Sequence, residues 1–341
     1  SGSALGQGAC STIAFSCERV ESLAKLKLYF SGTIASSGSL LGFTIDMSQS
    51  LPKHGFLLGY LVLVWGFAFA LIAIALDTIH PLFIVWSRLW MGAAVMWMVW
   101  RWREGIWDVG REWWTRFALL SMTGNVIPFS LIAWAEQTVP SAEVGILMAL
   151  MPIATLLLAH WLLDDEALTT GRVAGVIAGF VGVGLLVGDD LLLSSGNGQL
   201  PGQLATLLAT LSYAFNGVYA KRLSPIDPVV LSLGTLSTGA LFLAFPAIAL
   251  QGAQFGWAIP SQGWAAVMVL GVMGTGLATW SYFVVVAERG PGFLSTINYW
   301  IPAVAFLAGT LWLSEPWSVK HLIALALILM GVGLIQARRA D

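Results

Sequence analysis

From Phe56 onward the chain reads as long apolar runs broken by short polar links. A hydrocarbon core roughly 30 Å thick is crossed by about 20 residues of helix. By that measure ten spans are expected, at 56–76, 82–100, 117–137, 142–163, 172–188, 203–220, 228–250, 264–287, 292–313 and 319–336. Each must be helical, because lipid offers no partner to an unpaired backbone group. Links as short as Asp77 to Pro81 and Thr138 to Ser141 make neighbouring spans antiparallel hairpins. Residues 1–50 lack the pattern. They are rich in Ser and Gly, with one amphipathic patch from Glu18 to Phe30 and no signal-peptide order of basic, apolar and small residues. They are expected to be a poorly ordered tail, a non-native extension ending near Met47, or a short surface helix.

The apolar pattern is also repeated. Met151-Pro152 opens a run to Leu163, followed by Asp164-Asp165-Glu166 and a glycine-laced run ending Gly182-Val183-Gly184. Ile301-Pro302 opens a run to Leu313, followed by Ser314-Glu315 and a run ending Gly331-Val332-Gly333. Glu166 to Glu315 and Gly182 to Gly331 are both offset by 149, and Pro152 to Pro302 by 150. A proline, a glutamate and a Gly-Val-Gly in one order mark an internal duplication. The expected units are a five-helix repeat at 56–188, a second at 203–336, and a short tail at 337–341.

Charge sets the orientation. With the N-terminus inside, Lys53, Arg101, Arg103, Arg111, Arg116, Arg172, Lys221, Arg222, Arg289, Arg338 and Arg339 all fall inside, against Lys320 alone outside. Lys and Arg gather on the cytoplasmic side, so both termini are expected there, in a cell membrane. Five spans per unit is odd, so the second unit lies upside down relative to the first. Inverted repeats are a carrier architecture with the substrate near the midplane between them.

Composition agrees with the pattern. The chain is 57% hydrophobic and 10% charged, where soluble domains carry about 25% charged residues. The fold class expected is therefore an all-α integral membrane protein. Cys10 and Cys17 in the tail build neither a zinc site nor a disulfide framework. No His-Glu-x-x-His, histidine cluster or Gly-x-Ser-x-Gly occurs. No catalytic residue, metal or cofactor is expected, and no nucleic-acid partner. The expected partners are the bilayer and a small-molecule substrate, with the protein a monomer or homodimer.

Polar residues inside spans are costly and mark function. Ser295, Asn298, Tyr299 and Pro302 share one face of span nine, and Ser212, Asn216 and Tyr219 one face of span six. Thr275, Thr279 and Tyr282 do the same in span eight, and Ser121, Asn125 and Pro128 in span three. Such stripes either line a shared cavity or serve helix–helix hydrogen bonding. Arg88 lies seven residues after Pro81, about 10 Å along the helix. Trp86 and Trp90 leave its face, so it is expected to point into the bundle. There it meets a ligand carboxylate, forms a structural ion pair, or snorkels to the interface. Trp65, Trp280 and Trp300 lie deep enough to flank a ligand or to pack. Trp97, Trp100, Trp102, Trp107, Trp113 and Trp114 read as an interfacial belt. Gly171, Gly175 and Gly179 read as a close helix contact, and Pro128, Pro152 and Pro302 as kinks. No carboxylate lies deep in a span. Glu136 and Glu143 sit near span ends, and Glu136 is the candidate for coupling to protons, if the carrier is coupled at all.

These residues resemble the EamA-type proteins of the drug/metabolite transporter superfamily. The likeness rests on Trp65-Gly66, Pro81, Arg88-Leu89, and Ala133-Trp134-Ala135-Glu136 running to Pro152 and Glu166. In the second unit it rests on Glu288-Arg289-Gly290-Pro291-Gly292, Pro302, Glu315 and Gly331-Val332-Gly333. Span six departs from it, with Tyr213-Ala214-Phe215 where the family often repeats Trp-Gly. The resemblance implies a ten-helix carrier with a cavity formed by both halves, moving amino acids, other metabolites or drugs. The substrate-binding residues expected on these grounds are Trp65, Arg88, Asn125, Asn216, Tyr219, Trp280, Tyr282, Asn298 and Tyr299. The function expected is export of a small amphiphilic metabolite. The alternatives are a membrane scaffold or a membrane-embedded enzyme.

Overall fold

A computed structural model describes residues 47–162, 169–192, 198–220, 222–223, 226–251 and 260–336. The tail 1–46, the acidic turn Asp164-Asp165-Glu166, Lys221 and residues 337–341 lie outside the described residues. The described chain is helical, and we number its helices in order. They are α1 (Met47–Leu76), α2 (Pro81–Trp102), α3 (Glu112–Ala135), α4 (Ser141–Leu162) and α5 (Thr170–Leu192). They continue with α6 (Leu200–Ala220), α7 (Pro228–Gln251), α8 (Ser261–Arg289), α9 (Ile297–Trp312, after a turn of helix at Pro291–Leu294) and α10 (Val319–Gln336). Among the described residues, eight helices are long and apolar enough to cross a membrane; α9 is a shorter apolar helix, and α6 is not among the eight.

Boundaries follow local chemistry. His80 caps α2, its Nδ1 accepting from the Leu82 N–H at 3.3 Å, with Pro81 at the first helical position. The Asp227 carboxylate caps α7 by accepting from Val229 N–H at 2.8 Å and Val230 N–H at 3.2 Å. The carboxylate of Glu288, at the end of α8, takes Lys53 at 3.0 Å and His54 at 2.8 Å from the start of α1.

The prolines mark the irregular places. In α3 a π-helical segment, Met122–Val126, runs into Pro128. In α4 the helix breaks at Ala149–Leu150, just before Pro152. In α9 Pro302 lies within the helix. A second π-helical segment, Val272–Leu277, lies in α8, 150 residues after the first, and a third, Ala308–Trp312, ends α9. The wider turn of such a segment leaves carbonyls without their usual partner, and lipid cannot satisfy them. Side chains from other helices do. Asn216 Nδ2 donates to Leu120 O at 2.9 Å and Ser212 Oγ to Thr123 O at 2.8 Å. Trp65 Nε1 donates to Gly274 O at 3.1 Å and Tyr60 O–H to Met273 O at 2.8 Å.

The packing pairs each of α2–α5 with a helix from α6–α10. The chief contacts are α5 with α10, α2 with α7, α3 with α6, and the first half of α4 with α9. α2 also lies on the π segment of α8, as α7 lies on α3. The glycine stripe of α5 is the closest of these seams. A Cβ placed on Gly175 would fall 2.5 Å from Gly331 O, and one on Gly331 2.5 Å from Gly175 O. The aromatic belt is divided. Trp97, Trp102 and Trp114 are exposed, whereas Trp113 is buried against Phe117.

Candidate substrate site

Of the residues named from the sequence, Arg88, Trp65, Asn125 and Asn216 lie in or bond to the π segments of α3 and α8 or the residues beside them. On α8, Thr275 Oγ1 donates to Leu270 O at 2.8 Å and accepts from Arg88 Nε at 3.0 Å. Arg88 is 3% exposed. Its guanidinium carbon sits 3.8 Å from the centre of the Phe129 ring on α3. Among the described residues no carboxylate forms an ion pair with it. A buried cation held by a hydroxyl and a ring face keeps charge to offer an anionic group. It points inward as its spacing predicted, while Trp90 is exposed.

Trp65 and Tyr282 complete this group, with ring centroids 6.0 Å apart and Trp65 fixed by its bond to Gly274 O. Trp280 packs among the apolar residues around α2. Phe129 links the group to α6 through Tyr213, whose ring centroid is 6.4 Å away.

On the α3 side, Asn125 is buried within the π segment. Asn216 is pinned to that segment, donating to Leu120 O and to Thr123 Oγ1, both at 2.9 Å. Its amide nitrogen satisfies backbone in this structure, which is the helix–helix reading of the stripe. Tyr219 stacks flat on Phe215, with an interplanar angle of 1°. On α9, Asn298 is half-buried, and Tyr299 packs against the apolar cluster of α4, α5 and α10. Trp300 corrects an expectation. One step further round the helix, it is 64% exposed and lines an apolar outer groove of about 270 Å³ with Leu58, Gly59, Val62, Thr296 and Ile297. A second apolar groove, of about 150 Å³, runs between α1 and α8 from Leu63 to Leu270. Neither groove is lined by the residues predicted to bind substrate.

Glu136 follows the end of α3. Both its carboxylate oxygens are buried, with no hydrogen-bond partner among the described residues. Arg88 and Glu315 lie within electrostatic reach of it. A desolvated carboxylate in that condition is costly until a proton or a cationic group joins it.

Sequence reading missed two members of the group, Phe129 and Tyr213. Phe129 is four residues after Asn125 and so continues the α3 stripe, but an apolar ring there looks like any lipid-facing side chain.

A multi-pass helical bundle with a buried arginine held by a hydroxyl and a ring face between its helices has the build of a membrane transporter. The chain belongs to the EamA-like transporter family, whose model matches residues 54–188 and again residues 200–337. That family is of the drug/metabolite transporter type. YoaV of Bacillus subtilis, named an uncharacterized transporter, is 22% identical over 79% of this chain and 92% of its own. YedA of Escherichia coli K12, named an uncharacterized inner membrane transporter, is 25% identical over 84% of this chain and 91% of its own. YddG of Ancylobacter novellus, named an aromatic amino acid exporter, is 26% identical over 60% of this chain and 71% of its own. A solved crystal structure superposes with a TM-score of 0.61 at 21% identity, covering 83% of this chain and 96% of that one, and so shares the fold.

Proposed function

We propose that this protein is a carrier that exports a small amphiphilic metabolite, such as an amino acid or an aromatic compound, across the cytoplasmic membrane. Alternating access would use ten spans in two inverted five-helix halves. The observation that carries the reading is Arg88, a buried cation with neutral partners where the two matched segments meet. It suits the anionic end of a solute, and the rings of Trp65, Phe129 and Tyr282 suit an apolar body. Asn125, Asn216, Tyr219, Trp280, Asn298 and Tyr299 are the other residues assigned to binding, and Glu136 is assigned the coupling role. The helix-by-helix pairing of the two matched segments supports a pseudo-twofold relation. The odd helix count per segment supports inversion. The name of YddG supports the substrate class.

Reconstituted into liposomes, the protein should give saturable flux of at least one compound from a panel of amino acids, amines and organic acids. Asn298→Ala or Tyr299→Ala should lower that flux without lowering the amount of protein. A panel with no saturable flux, or flux indifferent to both changes, removes the reading or the α9 part of the site respectively.

Orientation has its own test. The Lys and Arg bias puts both termini in the cytoplasm, so alkaline phosphatase fused after Asp341 should be inactive. An active fusion reverses the orientation and with it the inversion of the halves.

A further inference from the structure

Glu315 belongs to the motif repeated in the sequence, yet the site above does not use it. It follows α9, and its carboxylate reaches 174 residues back to the start of α4. Oε1 accepts from the Ser141 N–H and Oε2 from the Ala142 N–H, each at 2.9 Å. The residue before α4 is Pro140, which supplies no side-chain cap. A helix start carries orphan N–H donors and the positive end of the helix dipole. A carboxylate placed there makes charge-assisted bonds. The join is tight. A Cβ on Gly309 would lie 2.4 Å from Glu315 Oε2 and 2.8 Å from Ala142 Cβ, and one on Gly145 2.4 Å from Ala305 Cβ. Ser141 is 1% exposed and Ala142 3%.

The two helices then diverge. Beyond its break at Ala149–Leu150, α4 leaves α9 and packs on α6, while the short turn before α9 packs under α8. Glu315 thus sits where the first half of α4 meets α9, ahead of the break after which α4 packs chiefly on α6. We propose that Glu315 is a gating residue: its two-pronged cap on Ser141 and Ala142 holds this end of the carrier shut, and each transport cycle must release it. The proposal rests on the carrier reading above.

The test uses thiol labelling of the full chain in lipid nanodiscs. Cys10 and Cys17 are replaced by serine, and one of two buried serines is replaced by near-isosteric cysteine. Ser141→Cys reports on the gate. Ser281→Cys, at a residue 2% exposed in α8, reports on general loosening. Glu315→Gln keeps one acceptor oxygen but loses the charge, and Glu315→Ala loses the cap. Labelling of Ser141→Cys by a charged maleimide should rise about tenfold in Glu315→Ala and less in Glu315→Gln, as expected for losing about 1.4 kcal/mol of hydrogen bonding. Labelling of Ser281→Cys should not change. Equal rates at Ser141→Cys with and without Glu315, or a rise shared by Ser281→Cys, overturns the gate. The same proteins are assayed for flux in liposomes. Saturable flux with an insensitive Ser141→Cys leaves the carrier and removes the gate. A sensitive Ser141→Cys without any saturable flux makes Glu315 a packing contact and removes the carrier reading instead.

Discussion

Arg88→Lys should cut transport about tenfold or more while the amount and melting temperature of the protein hold. A lysine keeps the charge but has no planar fork to bond Thr275 through Nε and lie over Phe129 at once. It also cannot take a carboxylate through two parallel N–H bonds. Losing one such charge-assisted pairing is worth about 1.5–3 kcal/mol, or roughly ten- to a hundredfold in affinity. Arg88→Ala should abolish flux without unfolding the protein. It removes a buried cation whose partners are neutral, and Thr275 keeps its bond to Leu270 O. The measurement is initial flux in liposomes, normalised to protein, beside thermal unfolding in detergent. Normal flux in both variants would reduce Arg88 to a packing residue.

The second large effect is on stability. Gly331→Ala should destabilise the bundle by about 1–3 kcal/mol, the usual cost of overpacking, and Gly331→Leu should prevent recovery of monodisperse protein. The added Cβ meets Gly175 O at 2.5 Å and Gly179 N at 3.0 Å, both backbone atoms that cannot turn aside. α5 and α10 would have to move apart along the seam. Gly333 provides the control, because a Cβ there has nothing within 4 Å among the described residues. Thermal unfolding of Gly331→Ala and Gly333→Ala should differ, with only the first lowered. Equal melting temperatures would show that the seam yields.

Much of this architecture can be read along the chain. Lipid forces every apolar run into helix, so run length gave helix positions that the described helices meet to within about five residues, except α1, which starts earlier at Met47; eight of the ten are long and apolar enough to cross a membrane. The glycine stripe of α5 was legible as a packing face because small residues at every fourth position have few other uses in a membrane. The π segments of α3 and α8 are offset by 150 residues, as Pro152 and Pro302 are. The site was less legible, for two physical reasons. A polar stripe looks the same whether it faces solute or a carbonyl freed by a π segment, and Asn216 shows the second case. Contacts between distant parts of the chain leave no periodic trace. Nothing near Glu315 announces that its partners are the N–H groups of Ser141 and Ala142.

The pairing of α2 with α7, α3 with α6, α4 with α9 and α5 with α10 has a consequence for biogenesis. While the ribosome has delivered only the first five helices, their main packing partners do not yet exist. The early helices must wait in the bilayer with their glycine and polar faces against lipid or against one another. Stability therefore arrives late, as α6 to α9 enter in turn and α10 closes on α5 last. A message truncated before that helix would leave a membrane-inserted but unpacked protein, recognisable to quality-control proteases by its uncovered Gly175 and Gly182 face.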